Sequence, residues 1–476
     1  MHKLSVALLL SLLLGATCTR QLTQPQTMTI TGSAALQGAA EPSGITVSLY
    51  HAVELDSTLE RLQQQFPTVG FELSQSALFD HRLHEAVYTT QTDADGYYEF
   101  VDIPQAEYNV VIETPDYGWR TLYDVSDTQD MPAVTLYPEM RVAGILDIYT
   151  EWPAHQHVIV TGDVVVPEGS TLLIDKGAVV RVSGYHSISI NGNLNVIGTQ
   201  DNKVRFTSNK SLANDSQAWR SIEVEGTESN ALLNHAVLTD CTYGIRMKNS
   251  KGIKIENSYF VRVYDTAVVF SEANNIEFVN NVIVSTKVGM RTEGVRECQL
   301  DRNIVFSTIG EFDESIALES NNSICEISNN IVHGFDTGIA VQYPNNLTIS
   351  HNYMENCGMG FSFITYTDFL VRKVTSTITY NTIKHCTNIT FDMLSTISEI
   401  KFNNILQEND NNYLEIRGHK NLYDLEVTEN YWYDTDLTNI SRRIKDHRYT
   451  TDGSPLPCEL YIEPVKMSEI PEAFPQ

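Results

Sequence analysis

From residue 232 onward one short pattern returns nine times: an apolar residue, two variable positions, a polar residue that is usually Asn, one variable position and a second apolar residue. It reads LLNHAV, IENSYF, FVNNVI, LDRNIV, ISNNIV, ISHNYM, ITYNTI, IKFNNI and VTENYW. The polar position holds His235, Ser258, Asn281, Asn303, Asn330, Asn352, Asn381, Asn403 and Asn430 in turn. Successive spacings are 23, 23, 22, 27, 22, 29, 22 and 27 residues, a base period of 22 to 23 with insertions of four to seven. Three strands of four to five residues plus turns make one coil of about that length, and stacked coils pair each strand in parallel with its neighbour about 4.8 Å away. A leucine-rich repeat shares the length, but its leucine scaffold is absent and Ile, Val, Phe and Asn fill the positions. Asn suits such a coil because it tolerates a left-handed turn and its amide can bond the same amide one coil away. A second strand follows each first one, marked by a small residue ahead of alternating apolar ones, as at Gly244, Ala267, Gly289, Gly338 and Gly360.

The chain before the repeat is of two kinds. Residues 1–18 read MHKLSVALLLSLLLGATC, a basic start, an apolar run and small residues, which is a signal peptide and too short for a membrane span. Cys18 directly after the small residues resembles the lipobox of bacterial lipoproteins, which implies acylation of that cysteine; plain secretion after a small residue is the alternative. After a linker over 19–27, residues 28–137 alternate apolar and polar positions in short runs, MTITGSA, GITVSLY, YYEFVDIP and EYNVVIE, the rhythm of an antiparallel β-sandwich. HAVELDSTLERLQQQF between two of these runs has helical composition and period and is expected to be an insertion. The segment TDADGYYEFVDIPQAEYNVVI resembles the carboxypeptidase-regulatory-like sandwich, usually a spacer or interaction module. Asp93, Asp95 and Glu99 invite a calcium loop, but Asp95-Gly96 supplies a hairpin turn and the further glutamate such a loop needs is missing.

VIVTGDVVVPEGSTLLIDKGAVVRV followed by NLNVIGTQDNKVRFTS resembles the entry coils of the pectin-lyase-like superfamily, and NYWYDTDLTNISRRIKDHRY resembles its closing segment. The resemblance covers residues 158–465. It implies an all-β chain with a right-handed parallel β-helix (solenoid) over 141–435, preceded by the small sandwich and closed by a cap and tail over 436–476. In that cap Trp432 is expected to close the open end of the core, with Ile440 and Ile444 as the apolar stripe of a short helix. Such a fold specifies function poorly, since the superfamily holds lyases, hydrolases, epimerases, tailspikes and proteins without assigned activity.

Equal offsets in stacked coils form columns, so a site can be sought in sequence. Two residues before each second-strand marker stand Thr242, Asp265, Lys287, Asp313, Asp336 and Gly358; two after stand Arg246, Val269, Arg291, Ala317, Ala340 and Ser362. Asp265, Asp313 and Asp336 are therefore candidate calcium ligands. Lys287, Arg291, Asp313 and Asp336 are candidate catalytic residues for a polysaccharide lyase or glycoside hydrolase acting on uronate-containing glycans. The bland alternative is a solvated ladder of weakly paired charges. His333, His351 and His385 read as turn residues rather than bases. The second functional class is a binding or surface-scaffold protein that presents Tyr264, Tyr343, Tyr353 and Tyr366 to a polysaccharide or cell-surface glycan.

Sixty acidic against 32 basic residues, a formal charge of -28, disfavour nucleic acid and anionic membrane surfaces as partners. The expected location is the outer membrane or cell surface as a lipoprotein, or otherwise the secreted or periplasmic space. Beyond Cys18, Cys298 and Cys325 each precede a ladder Asn by five residues, and Cys357 and Cys386 each follow one by five. Adjacent coils bring each pair within one strand spacing, which leaves a disulfide or a stacked row of buried thiols.

Overall fold

The computed structural model describes residues 26–39, 41–210, 218–308, 310, 313–364, 376–393, 399–408, 412–416, 424–446 and 460–476. The leader with Cys18, as well as Tyr366 and Cys458, lies outside the described residues. The main body is a right-handed parallel β-helix with three faces. The first face has 13 parallel strands among the described residues, from Tyr149–Trp152 to Leu460–Tyr461. The second and third faces follow in each coil, sometimes as one bent strand such as Val282–Glu293.

The asparagines touch as the spacing requires. The amide of Asn281 donates to Oδ1 of Asn303 at 3.1 Å, Asn303 to Asn330 at 2.9 Å, Asn330 to Asn352 at 3.0 Å, Asn352 to Asn381 at 2.9 Å, Asn381 to Asn403 at 3.0 Å and Asn403 to Asn430 at 3.0 Å. The same Oδ1 atoms also accept a backbone N–H from the preceding coil. The second amide hydrogen bonds a first-face carbonyl one coil back, as from Asn330 to Leu300 at 2.8 Å. All six donors and their acceptors are 0% exposed.

Two details of the repeat differ from expectation. The left-handed conformation belongs to the residue before each ladder Asn, at Asn257, Asn280, Arg302, Asn329, His351, Tyr380, Phe402 and Glu429. The asparagine is selected for its amide alone. His235 also has positive φ and so matches Asn257; Ala236 holds the ladder position, its N–H donating to Ser258 Oγ at 3.1 Å. The ladder therefore begins at Ser258, one coil later than the pattern suggested.

Inside the prism, apolar residues stack in columns such as Ile174, Val196, Leu233, Ile255, Phe278, Leu300 and Ile327, all buried. Cys298 and Cys325 are register partners within this core, and Cys241, Cys298, Cys325, Cys357 and Cys386 are all free thiols. At the far end Trp432 is fully buried, 5.3 Å from the Tyr413 ring, and Ile440 of the helix Leu437–Arg442 is buried beside the core. Ile444 is not on that helix: Ile444–Asp446 is a further parallel strand on Leu414–Ile416, so the coil continues past residue 435.

The N-terminal residues form two four-stranded sheets that share one core, including Ile30, Val47, Phe100, Val110 and Ile112. One sheet is mixed rather than antiparallel, because Thr27–Leu36 pairs in parallel with Gln129–Asp130 and Val134–Leu136. Asp93 accepts the N–H groups of Asp95 and Tyr97, both at 2.9 Å, so it shapes the hairpin. The expected insertion contains the helix Ser57–Gln65, capped by Asp56. Its apolar side and the chain after it, Leu59, Leu62, Phe66, Val69 and Leu73, pack against outward residues of the second face, Val237, Tyr259, Val282, Ile304, Ile331 and Tyr353. Gly70, at φ +71°, allows the backbone to lie on Ile304, whose side chain a Cβ would strike. Phe474 from the C-terminal tail joins the same layer, and Thr382 donates to the Ala473 carbonyl at 2.7 Å. The second face is thus buried on both sides.

Replacing Asn330 by Ala strands donors and acceptors on both neighbouring coils and is expected to cost about 3 kcal/mol in chemical denaturation. A loss under about 1 kcal/mol would mean that the ladder is not a major stabilising element. A second expectation comes from His157, where the N-terminal sheets meet the second face. Burial, with Arg181 next, pushes its imidazole down to about 3, and Nε2 lies 2.6 Å from the Trp119 carbonyl. The unfolded chain therefore binds the extra proton first, so this stability is complete above about pH 6.5 and is lost as the pH falls. His157→Gln should remove a slope of about 1.4 kcal/mol per pH unit between about pH 6 and pH 4. Parallel stability profiles for the two proteins would count against it.

Candidate functional site

The corner between the second and third faces carries the predicted column. Across neighbouring strands Val263 pairs with Thr286 and Thr266 with Val288, which sets Asp265 beside Lys287. One coil on, Val288 pairs with Ile316, and Ile316 with Thr337, so Ser315 and then Asp336 continue the column. Asp313 is displaced from it by two residues. The small residue that matches Gly289 is Ala317 and not Ser315, because the longer turn of this coil shifts the count.

This register separates the three aspartates. Asp265 and Asp336 stand three strands apart, roughly 14 Å, whereas calcium takes its oxygens at about 2.3–2.6 Å. Asp336 Oδ2 accepts the Ser315 N–H at 2.9 Å and its own N–H donates to Ser315 Oγ at 3.0 Å, a bond pair that fixes the corner. Asp265 accepts from Thr266 Oγ1 at 2.9 Å. Among the described residues no group of three or more His, Cys, Asp or Glu could hold a metal ion.

Arg291 pairs across the strands with Glu319, not with the buried Ala317, and the ion pair closes at 2.6 Å. Gln342 donates to the other Glu319 oxygen at 3.2 Å. Arg246 likewise reaches Glu223 at 3.5 Å. The third face is therefore a ladder of paired charges. Lys287 differs: its amine makes no ion pair or hydrogen bond among the described residues.

The other predicted side chains are scattered. Tyr353 is 2% exposed, its ring tilted against Phe66 at 4.9 Å, so it presents nothing to a glycan. Tyr264 and Tyr343 are half-buried. His351 and His385 occupy positive-φ turns, whereas His333 ends a strand, its ring stacked 5.0 Å from Phe306.

The first face carries a feature the column search passed over. Its outward side shows two polar rows: Glu326, Thr348, Thr377, Glu399 and Glu426, and beside them Ser350, Thr379 and Lys401. At the border, His351, Tyr380 and Phe402 occupy successive left-handed turns and stack, with ring centroids 5.3 and 5.0 Å apart and planes within 7° and 13°. Lys466 lies 5.3 Å over Phe402. The signal for this stack was the residue just before each ladder Asn.

Residues 228–443 match the family model described as "Periplasmic copper-binding protein (NosD)". No curated protein matches. The catalytic domain of a GH87 alpha-1,3-glucanase in complex with nigerose is 11% identical, with alignment over 90% of this chain and 87% of that one, at a TM-score of 0.22. A variant of the same domain in complex with tetrasaccharides is 10% identical, over the same shares of the two chains and at the same TM-score of 0.22. At these values the likeness carries no argument. The copper of the family description finds no donor set among the described residues. The cysteines that lie near one another are inside the core, where burial raises the thiol of Cys357 to about 12 and those of Cys298 and Cys386 well above the ordinary range.

If the third-face arginine is structural, Arg291→Gln should lower stability by about 1–2 kcal/mol by leaving the 11% exposed Glu319 without its cation. Urea denaturation measures this; an unchanged midpoint would show the pair to be energetically idle.

Proposed function

We propose that the protein is exported, anchored through a lipid on Cys18, and uses its β-helix as a rigid support for a glycan laid along the first face. The leader supports export, and the family model matched by residues 228–443 describes a periplasmic protein. One observation carries the binding reading. The second face is covered by the insertion and tail, while the first face offers polar rows repeated at about 4.8 Å beside a border of stacked rings. Repeated hydroxyls and carboxylates on a rigid backbone suit a repeating polyol, since little ordering entropy is lost by the protein.

A lyase or glycoside hydrolase is the second reading, favoured by Lys287, whose amine has no partner among the described residues and which stands beside Asp265. Tyr380→Asn separates the two, because Asn keeps the left-handed turn and removes the ring. Retention of the variant on an immobilised neutral polysaccharide should weaken about tenfold with unchanged thermal unfolding, and a uronate polysaccharide serves the enzymatic arm. Unaltered retention would overturn the first-face reading. Ultraviolet-absorbing unsaturated product that disappears in Lys287→Ala would replace it with the enzymatic one.

A further inference from the structure

In a chain with 60 acidic and 32 basic residues, cations gather where the N-terminal sheets meet the second face. Arg82 and Arg181 lie 5.3 and 4.9 Å from the Trp119 ring centroid, and they are answered by Asp80 and Glu139. Beside them lies a cavity of about 60 Å³ lined by Ser76, Arg120, His155, Asn202, Lys203 and Arg205, with Asp201 also on its wall. None of Arg120, Lys203 and Arg205 makes an ion pair among the described residues.

Each of the three is committed differently. Arg205 is 8% exposed; its Nη2 donates to the carbonyls of Ser76, Ala77 and Phe79 at 2.7, 3.3 and 3.4 Å, whereas Nη1 is buried without a hydrogen-bond partner. Lys203, also 8% exposed, donates to Ser76 Oγ and the Gln200 carbonyl at 2.6 Å and to Ser74 Oγ at 3.2 Å. Burial, then the charge of Arg205, pushes its amine down to about 8. The Arg120 guanidinium enters from the strand Gly118–Val125 and makes no hydrogen bond among the described residues. His155 adds no charge, because burial and then Arg120 push it down to about 4, and its Nδ1 is likewise buried without a partner.

Buried cations are costly, and the cavity wall sets one carboxylate, Asp201, against three of them, with Asp80 acting on Arg205 and Glu72 and Asp124 on Lys203 from outside the cavity. Guanidinium groups present N–H pairs in the geometry of oxyanions. We infer that this cavity binds a small oxyanion of the phosphate or sulfate class, gripped by Arg120 and Arg205 with Asn202 and Ser76 beside it, as the free ion or as the terminal group of a larger ligand.

The test titrates the full chain with inorganic phosphate and with sulfate at constant ionic strength set by sodium chloride, read by calorimetry and thermal unfolding. The expected result is saturable binding that raises the melting temperature, with affinity about tenfold or more weaker in Arg120→Gln. That variant keeps the carbonyl bonds of Arg205 and removes a like charge, so without anion it should melt no lower than the natural chain. A sugar phosphate that binds more tightly than inorganic phosphate assigns the terminal group of a larger ligand; equal or weaker binding assigns the free ion. No saturable binding, or an equal response in Arg120→Gln, would overturn the proposal and leave the cavity to water.

Discussion

An amide buried in an apolar prism is tolerable only when every donor and acceptor on it is met, and the ladder from Asn281 to Asn430 meets that condition by repetition. Within the ladder, as at Asn330, Oδ1 takes two N–H groups from one coil and the amide nitrogen gives to a backbone carbonyl and to the next Oδ1, so the side chain acts as a rivet between three coils. Such a rivet fixes register far more strictly than stacked aliphatic residues, which tolerate sliding by a methyl group. The insertions that lengthen individual coils therefore fall away from this corner, and the faces on either side inherit a constant alignment.

With register fixed, the fate of each face depends on what points outward. Val237, Tyr259, Val282, Ile304 and Ile331 make the second face apolar on its outer side, and a parallel sheet that is apolar on both sides must be covered. The helical insertion and the tail cover it, which binds the N-terminal sheets and the β-helix into one body. The first face is polar on its outer side and has no such requirement, so its surface is open to ligand.

The repeat, the coil length and the position of the seven ladder asparagines were legible because strict periodicity leaves few folds. The start of the ladder was placed one coil too early, since His235 fits the composition of the turn that Asn257 and Asn280 adopt. The columns failed where one coil is longer: a count from Ser315 instead of Ala317 moved Asp313 and Ala317 into places that Ser315 and Glu319 occupy. Local sequence holds no record of which residue absorbs an inserted turn. The covering of the second face was written in the chain, in unbroken apolar runs such as YFV and VIV where a one-sided strand would alternate. What covers it was not, because helical composition in the insertion says nothing of its distant partner.

Charge follows the same division. On the third face, acids and bases fall opposite one another at one strand spacing and neutralise locally, as Arg291 does with the nearly buried Glu319. At the covered junction burial, and after it the neighbouring cations, depresses His155, His157 and Lys203 together. A surplus of acid spread over exposed faces cannot relieve cations enclosed there, since screening confines each exposed charge to its own neighbourhood. The compensating charge has to enter the junction itself, and for that reason a strongly basic enclosure in an acidic chain is a property of the site and not of the net charge.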